Sequence, residues 1–163
     1  MAMKTVNKAL TPEALLQSYI DRLAPKDQKL FRALRAAIRK LFPTANELGY
    51  DYTSHVVISY SPTEHAIDAL LAIDARPEGV RLYLMSGPKL PDPKKLLMGS
   101  GAQARFLHLE SARTLAHPDV KALIAAAVDC MKIPLPSTGK GRLLMRGSTE
   151  KQRTQRRAAA RVR

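Results

Sequence analysis

Residues 25–60 read PKDQKLFRALRAAIRKLFPTANELGYDYTSHVVISY, and the spacing of their apolar residues changes at Pro43. Before Pro43, apolar residues recur every three or four positions, as on one side of an α-helix. After Pro43, apolar and polar residues alternate, as in strands with one buried face. This stretch therefore predicts a helix over residues 25–42, followed by two short strands, 47–52 and 55–60, or by one interrupted strand.

The segments on either side continue this mixture of helices and strands. Thr11 is a good helix cap and Pro12 suits the first helical position, so a first helix is predicted to start there and to end before Pro25. Further along, periodicity predicts strands over 66–74, 80–85 and 103–110, and helices over 93–98 and 118–131. In the first of these strands, Ile67 is expected on the buried face.

The order of these elements is typical of an α+β domain. Short connections favour antiparallel neighbours, so we expect an antiparallel β-sheet of about five strands with helices packed on one face. Leu143-Leu144-Met145 is a candidate for a further edge strand. The expected organisation is a flexible lead-in over residues 1–10, a domain over 11–133 and a basic, mobile C-terminal tail over 134–163.

The chain has 163 residues and a formal charge of +13, and most of the excess lies at its C-terminal end. Residues 132–163 hold ten Lys and Arg against one acidic residue, a net +9, and residues 1–131 carry the remaining +4. Such a segment can bind phosphate backbones without reading their sequence, or it can be a solvated end of the chain. The candidate nucleic-acid contacts are Lys140, Arg142, Arg146, Lys151, Arg153, Arg156 and Arg157.

The composition excludes several classes of protein. Apolar residues make up 45% of the chain, too many for a wholly disordered protein. The single cysteine, Cys130, excludes a disulfide framework and zinc motifs built on several cysteines. No apolar run approaches the roughly 18 residues that span a membrane, and residues 1–10 lack the apolar core of a signal peptide. We therefore expect a cytoplasmic protein with no membrane partner.

Metal and nucleophile motifs are weak in this sequence. His55, His108 and Glu110 lie on or next to predicted strands, but a common metal site would need a particular strand order. No nucleophile motif of the G-x-S-x-G type occurs. Cys130 is at the edge of an apolar helix stripe, where we expect a buried, inert thiol. No catalytic residue, metal ligand or cofactor is assigned, and the protein is not expected to be an enzyme.

A glycine-rich turn is the first candidate binding element. Gly99 and Gly101 flank a serine, and Arg105 follows four residues later. Such a turn could cradle a phosphate. It could equally be the end of a short helix that Asp92 caps, with Gly99 in the left-handed conformation.

Two further groups also admit a functional and a structural interpretation. A tyrosine cluster on neighbouring predicted strands could line a ligand pocket or be ordinary sheet residues. This cluster comprises Tyr50, Asp51, Tyr52 and Tyr60. The basic side of the helix over 25–42 could dock phosphate or simply face solvent. It carries Lys26, Lys29, Arg32, Arg35, Arg39 and Lys40.

One stretch of the sequence resembles a known family. Residues 86–93, SGPKLPDP, are followed by Leu97, by a Gly-Ser-Gly turn at 99–101 and by Arg105. This pattern is similar to that of the YdhG-like family, in which Leu-Pro-Asp-Pro precedes a Gly-x-Gly turn and an arginine before the last strand. The resemblance extends over about residues 11–155. Its other matches are Glu47, Tyr50-Asp51, Ser61-Pro62-Thr63-Glu64 and Gly141-Arg142-Leu143-Leu144.

The resemblance implies a small bacterial α+β domain whose function is undefined for most members. The name-giving member is described as a frataxin-like intracellular iron chaperone, which implies iron binding by acidic residues. In the two predicted N-terminal helices these are Glu13, Asp21 and Asp27.

Together these features predict a non-enzymatic YdhG-like domain that binds a small ligand or a protein partner. The candidate ligand-binding residues are Tyr50, Asp51, Tyr52, Tyr60, Gly99, Gly101 and Arg105. One alternative is a nucleic-acid-associated protein that acts through its basic tail. The other is the iron-binding chaperone that the resemblance implies.

Overall fold

Three α-helices form where the apolar periodicity predicts them. The computed structural model describes residues 10–52 and 54–146, and its helices are α1 (Pro12–Ile20), α2 (Pro25–Leu41) and α3 (Pro118–Asp129). Thr11 caps α1, since its Oγ1 accepts a hydrogen bond of 3.1 Å from the N–H of Ala14. A proline occupies the first turn of each helix, where no N–H is needed. No helix in the described ranges is long and apolar enough to cross a membrane.

The sheet has six strands and is mixed. Its strands are β1 (Asn46–Tyr52), β2 (His55–Ser61), β3 (Leu71–Arg76), β4 (Gly79–Met85), β5 (Ala104–Leu109) and β6 (Leu143–Met145), in the spatial order β5-β4-β3-β2-β1-β6. The first five form the antiparallel meander that the short connections predict. The expectation of a purely antiparallel sheet of about five strands is corrected by β6, which lies parallel to β1 at the edge.

The hydrophobic core lies on one face of this sheet. Alternate residues of β2 to β5 enter it, among them Ile58, Ile73 and Leu82, and all three helices contribute to the same cluster. The opposite face, called the open face below, contributes no residue to that cluster. By strand register the open face carries Tyr50, Tyr52, His55, Val57, Arg81, Tyr83, Phe106 and His108, together with the buried Leu48, Ser59, Ala72 and Asp74. The predicted packing of helices on one face agrees with this arrangement.

The predicted strand over 66–74 is wrong in its first half. Ala66–Asp68 form a 3₁₀ turn, and Ile67 is 83% exposed instead of buried. Local hydrogen bonds hold this turn, because the hydroxyl of Thr63 donates to the Asp68 carboxylate over 2.7 Å. Side-chain hydrogen bonds of this kind compete with a strand ladder and override the alternation of apolar residues.

The predicted helix over 93–98 is absent. Asp92 still caps, since its carboxylate accepts hydrogen bonds of 2.9 Å from the N–H groups of both Leu96 and Leu97. The chain then turns through Lys95, whose φ is +52°, and Met98 pairs with Phe106 of β5. Pairing with the sheet thus replaces the helix.

Candidate functional site

A surface pocket of about 550 Å³ lies beside β4 and β5. Its walls are the rings of Tyr83 and Phe106, and the rest of its lining is the loop over residues 99–104. The volume falls in the range of roughly 300–1,000 Å³ found for small-molecule sites. The glycine turn and a pair of aromatic residues on the open face therefore share one concave site.

Arg105 holds the loop of this pocket in place. Its Nε donates to the carbonyl of Gly101 over 2.9 Å, and its Nη1 donates to the carbonyl of Gly99 over 2.7 Å. Gly99 has a φ of +95°, and a Cβ there would lie 2.9 Å from the Phe106 ring. Only glycine both adopts this positive φ readily and leaves room for the ring, so the turn packs closely against Phe106.

The charge of Arg105 has no acidic partner among the described residues. Its Nη2 donates to no described residue, and neither do the backbone N–H groups over 99–103. The connection from β4 to β5 also exposes three lysines, at positions 89, 94 and 95, against one acid, Asp92. The backbone N–H groups of the loop are therefore available as donors in the pocket, while Arg105 and these lysines lie outside its lining. Unpaired N–H groups of this kind favour an anionic ligand.

The aromatic wall is built from neighbouring positions on β4 and β5. Tyr83 and Phe106 are cross-strand partners with ring centroids 5.3 Å apart. The guanidinium of Arg81 lies 4.5 Å from the centre of the Phe106 ring, and His108 meets that ring edge-on at 5.5 Å. The four side chains form a continuous cationic and aromatic surface next to the loop.

Arg81 also belongs to a pair with unmet hydrogen-bonding capacity. It is the cross-strand partner of Asp74, whose Oδ2 accepts a hydrogen bond of 2.7 Å from Arg76. Among the described residues, the Oδ1 of Asp74 and the Nε of Arg81 are buried and have no hydrogen-bond partner. Buried groups left in this way are uncommon in folded proteins.

The structure separates the predicted ligand-binding residues into different regions. Gly99, Gly101 and Arg105 come together at the pocket, as described above. Tyr50 and Tyr52 lie on the open face of β1, which β2, β3 and β4 separate from β5. The pKa of Tyr50 is raised, because burial outweighs the opposing effect of nearby Arg146. Asp51 forms an ion pair with Arg22 on the helix side of the sheet.

Tyr60, the fourth residue of the predicted tyrosine cluster, is inside the core. It is fully buried, and its hydroxyl donates to the Glu47 carboxylate over 3.1 Å. Burial raises the pKa of Tyr60 well above its usual value. Its side chain therefore faces away from Tyr50 and Tyr52, because the side chains of a strand alternate between the two faces of a sheet.

Arg35 departs from both interpretations of the basic side of α2, since it is neither in solvent nor available to dock phosphate. It is buried and donates hydrogen bonds to Glu47 over 2.8 and 2.9 Å and to Glu13 over 2.7 and 2.8 Å. Burial works to lower the pKa of Arg35, but the bonds to Glu13 and Glu47 outweigh it and the pKa is raised. The periodicity of the helix did not predict that Arg35, one of its six basic residues, forms ion pairs with two carboxylates.

The predicted nucleic-acid contacts lie partly within the described residues. Lys140 is exposed, Arg142 pairs with the Glu64 carboxylate over 2.8 Å, and Arg146 donates to the Glu64 carbonyl. Lys151, Arg153, Arg156 and Arg157 lie outside the described residues.

The candidate metal ligands lie on separate strands. His55 is on β2 and its ring stacks on that of Tyr52 at 4.4 Å, whereas His108 is on β5, with β3 and β4 between the two strands. In residues 10–52 and 54–146, no three His, Cys, Asp or Glu side chains are placed to hold a metal ion. Cys130, expected to be buried, is exposed where α3 ends.

Sequence reasoning missed Arg81, Tyr83 and Phe106, and it considered His108 only as a candidate metal ligand. A signal was present, because Arg81 and Tyr83 alternate with the buried Val80, Leu82 and Leu84. Aromatic residues on the polar side of a strand indicate a face that is not fully solvated.

Comparison of the chain with family models, with curated proteins and with solved structures finds no significant match. The resemblance to the YdhG-like family stays a prediction.

Proposed function

We propose that this protein is a binding module for a small anion that carries a planar, apolar group. Its site is the pocket between Tyr83, Phe106 and the loop over 99–104. The backbone N–H groups of the loop, which Arg105 holds in place, would receive the anionic part, and the rings would contact the planar part. Amide N–H groups and aromatic rings are groups that bind and orient a ligand. Binding is therefore proposed in preference to catalysis.

The observation that carries this proposal is the unshared charge of Arg105. Its Nε and Nη1 are used to position the loop, yet no described carboxylate neutralises it. Elsewhere in the described chain, Arg22, Arg32, Arg35 and Arg76 each pair with a carboxylate. The guanidinium fixes the loop from outside the pocket lining, and its uncompensated positive charge favours an anion at the N–H groups of that loop.

Thermal unfolding with three probes tests the proposal. The probes are inorganic phosphate, phenyl phosphate and adenosine 5′-monophosphate. A ligand at ten times its Kd stabilises the folded state by about 1.4 kcal/mol, which corresponds to a rise in Tm of about 3–6 °C. We expect both organic phosphates to raise Tm more than inorganic phosphate, because only they contact the rings.

Arg105→Lys is the informative variant, since it retains the charge but loses the geometry that spans two carbonyls. Arg113→Lys is the matched control, because Arg113 is exposed on another part of the surface. The shift in Tm should shrink in the first variant and persist in the second. Equal shifts in both variants, or no shift in the unmodified protein with any probe, would exclude this pocket as an anion site.

A further inference from the structure

We infer that the outer surface of α2 is a docking site for the sugar–phosphate backbone of a nucleic-acid duplex. The surface is a row of exposed residues spaced three or four positions apart and called the lysine ridge below: Lys26, Lys29, Ala33, Ala36 and Lys40. The ridge lies on the helix side of the sheet, whereas the rings of the pocket lie on the open face. The inference is therefore independent of the proposed function.

The position of the lysine ridge follows from the way α2 packs. Phe31, Leu34 and Ile38 are buried in the core on one side of the helix. With about 3.6 residues per turn, the ridge falls on the opposite side. All five of its residues are exposed, so no described element of the protein covers it. A partner can approach the helix along its whole length.

The charge of the ridge is not neutralised by acidic side chains. Lys26, Lys29 and Lys40 form no ion pair with a described carboxylate. The positions three and four residues away from each lysine, where opposite charges would stabilise a surface helix, hold no Asp or Glu. Asp27, the only acidic residue within α2, is half-buried on the other side of the helix. The ridge thus keeps three positive charges that a polyanion can neutralise.

The composition of the ridge favours a phosphate backbone over a protein surface or a single strand. Protein interfaces are centred on large apolar, aromatic or arginine side chains and are depleted of lysine. The ridge consists of lysine and alanine alone. Single strands are held by stacking of their bases on aromatic rings, and the ridge carries no ring. Binding of a duplex backbone requires only cations that replace its counterions.

The spacing of the lysines also suits a duplex. Lys40 follows Lys26 by 14 positions, which corresponds to about 21 Å along the helix axis. This length exceeds the width of the major groove, roughly 12 Å, so the two ends of the ridge can reach phosphates on both sides of the groove. Ala33 and Ala36 lie between these ends, and their short side chains let the helix backbone come close to the duplex.

Fluorescence anisotropy of the full chain with a labelled 20-base-pair duplex, between 50 and 300 mM salt, tests the inference. The informative variant combines Lys26→Gln, Lys29→Gln and Lys40→Gln. Each lost phosphate contact lowers the slope of log K against log[salt] by about 0.9, so we expect the slope to fall by about 2–3. The affinity at 100 mM salt should fall at least tenfold.

The matched control combines Lys89→Gln, Lys94→Gln and Lys95→Gln, at three exposed positions between β4 and β5. It removes the same net charge but leaves the ridge and the C-terminal segment unchanged, so its slope should stay within about 0.5 of that of the unmodified protein. Circular dichroism melting curves check that both triple variants are folded. A labelled 20-nucleotide oligothymidine is the second probe, and the ridge variant should weaken its binding less than that of the duplex.

Three results would overturn the inference. The first is an equal loss of slope and affinity in the two triple variants, and the second is no binding of the duplex by the unmodified protein at 50 mM salt. The third is binding that depends on the ridge but belongs to another partner. Equal weakening of oligothymidine and duplex would assign the ridge to single strands, and ridge-dependent binding of polyglutamate without binding of the duplex would assign it to an acidic protein.

Discussion

Arg35 is a buried, charged residue that forms hydrogen bonds with two carboxylates. Glu47 is buried on β1, Glu13 reaches in from α1, and the Tyr60 hydroxyl adds a further bond to Glu47. Taking such charges out of water is costly, so the cluster is stable only while every member keeps its partners. It ties both N-terminal helices to the sheet at a defined position.

Replacing Arg35 with Met should therefore destabilise the protein strongly. The change leaves Glu47 buried without its main partner, and the expected loss in the free energy of unfolding is about 3–5 kcal/mol. Urea denaturation measures it. Lys29→Met, at an exposed position on the same helix, should stay within about 0.5 kcal/mol. The double variant Arg35→Met, Glu47→Leu should lose less than Arg35→Met alone, and additive losses would contradict the coupling.

Among the strands, β6 is the one whose position in the sheet is predicted least well by the local sequence pattern. It is three residues long, and its place beside β1 rests on two backbone hydrogen bonds next to it. The Glu47 N–H donates to the Arg142 carbonyl and the Arg146 N–H donates to the Gly49 carbonyl, each over 2.9 Å. Gly141 permits this approach, because a Cβ there would lie 1.7 Å from the carbonyl oxygen of Ala45.

Gly141→Ala should therefore detach β6 from the sheet without unfolding the rest. We expect a loss of about 1–3 kcal/mol and rapid hydrogen exchange at the Glu47 amide. The Leu70 amide, which donates to the Tyr60 carbonyl, is the internal control and should stay protected. Thr138→Ala, at an exposed position three residues earlier, should leave both amides unchanged. Continued protection of Glu47 in Gly141→Ala would show that β6 tolerates the larger residue.

Across the whole molecule, most of the described arginines are paired with carboxylates and a few are not. On the helix side, Arg22, Arg32 and Arg35 are paired with acidic side chains. On the open face Arg76 is paired with Asp74, whereas Arg81 on that face and Arg105 on β5 form no ion pair with a described carboxylate. The helix side therefore depends on carboxylates staying ionised.

Low pH should first weaken the ion pairs on the helix side of the sheet. Hydrogen bonds from Arg35 hold the pKa of Glu13 at about 2, below its usual 4.5, although burial opposes this. The unfolded chain thus takes up the proton first as the pH falls. The contribution of Glu13 is complete above pH 4.5 and is lost as the pH falls towards 2. It is modest, because the side chain is 53% exposed and screened by solvent.

Glu13→Gln should flatten the decline of Tm between pH 4.5 and 2 relative to the unmodified protein. Circular dichroism melting curves at half-unit intervals of pH measure this. Glu110→Gln, at an exposed position after β5, is the control and should follow the unmodified protein. Parallel curves for Glu13→Gln and the unmodified protein would show that the ion pair with Arg35 contributes no stability.

Much of the fold can be predicted from the sequence, because the interactions that determine helix starts and strand faces are local. Thr11 and the prolines mark helix starts through hydrogen bonds within one turn. Val80, Leu82 and Leu84 alternate with exposed or half-buried neighbours because a strand turns successive side chains to opposite faces. The helices, the meander and the glycine turn beside Arg105 follow from such patterns.

Only the tertiary structure decides which distant residues meet. It pairs Arg35 with Glu13 and Glu47, places β6 beside β1, and turns Tyr60 into the core while Tyr50 stays on the open face. Each of these contacts joins segments that are far apart in the chain, so no local period records them. The amino-acid sequence by itself determined an α+β domain with a basic end. Long-range packing decided which of the described arginines meet carboxylates, as Arg35 does, and which form no ion pair with a described carboxylate, as Arg81 and Arg105 do.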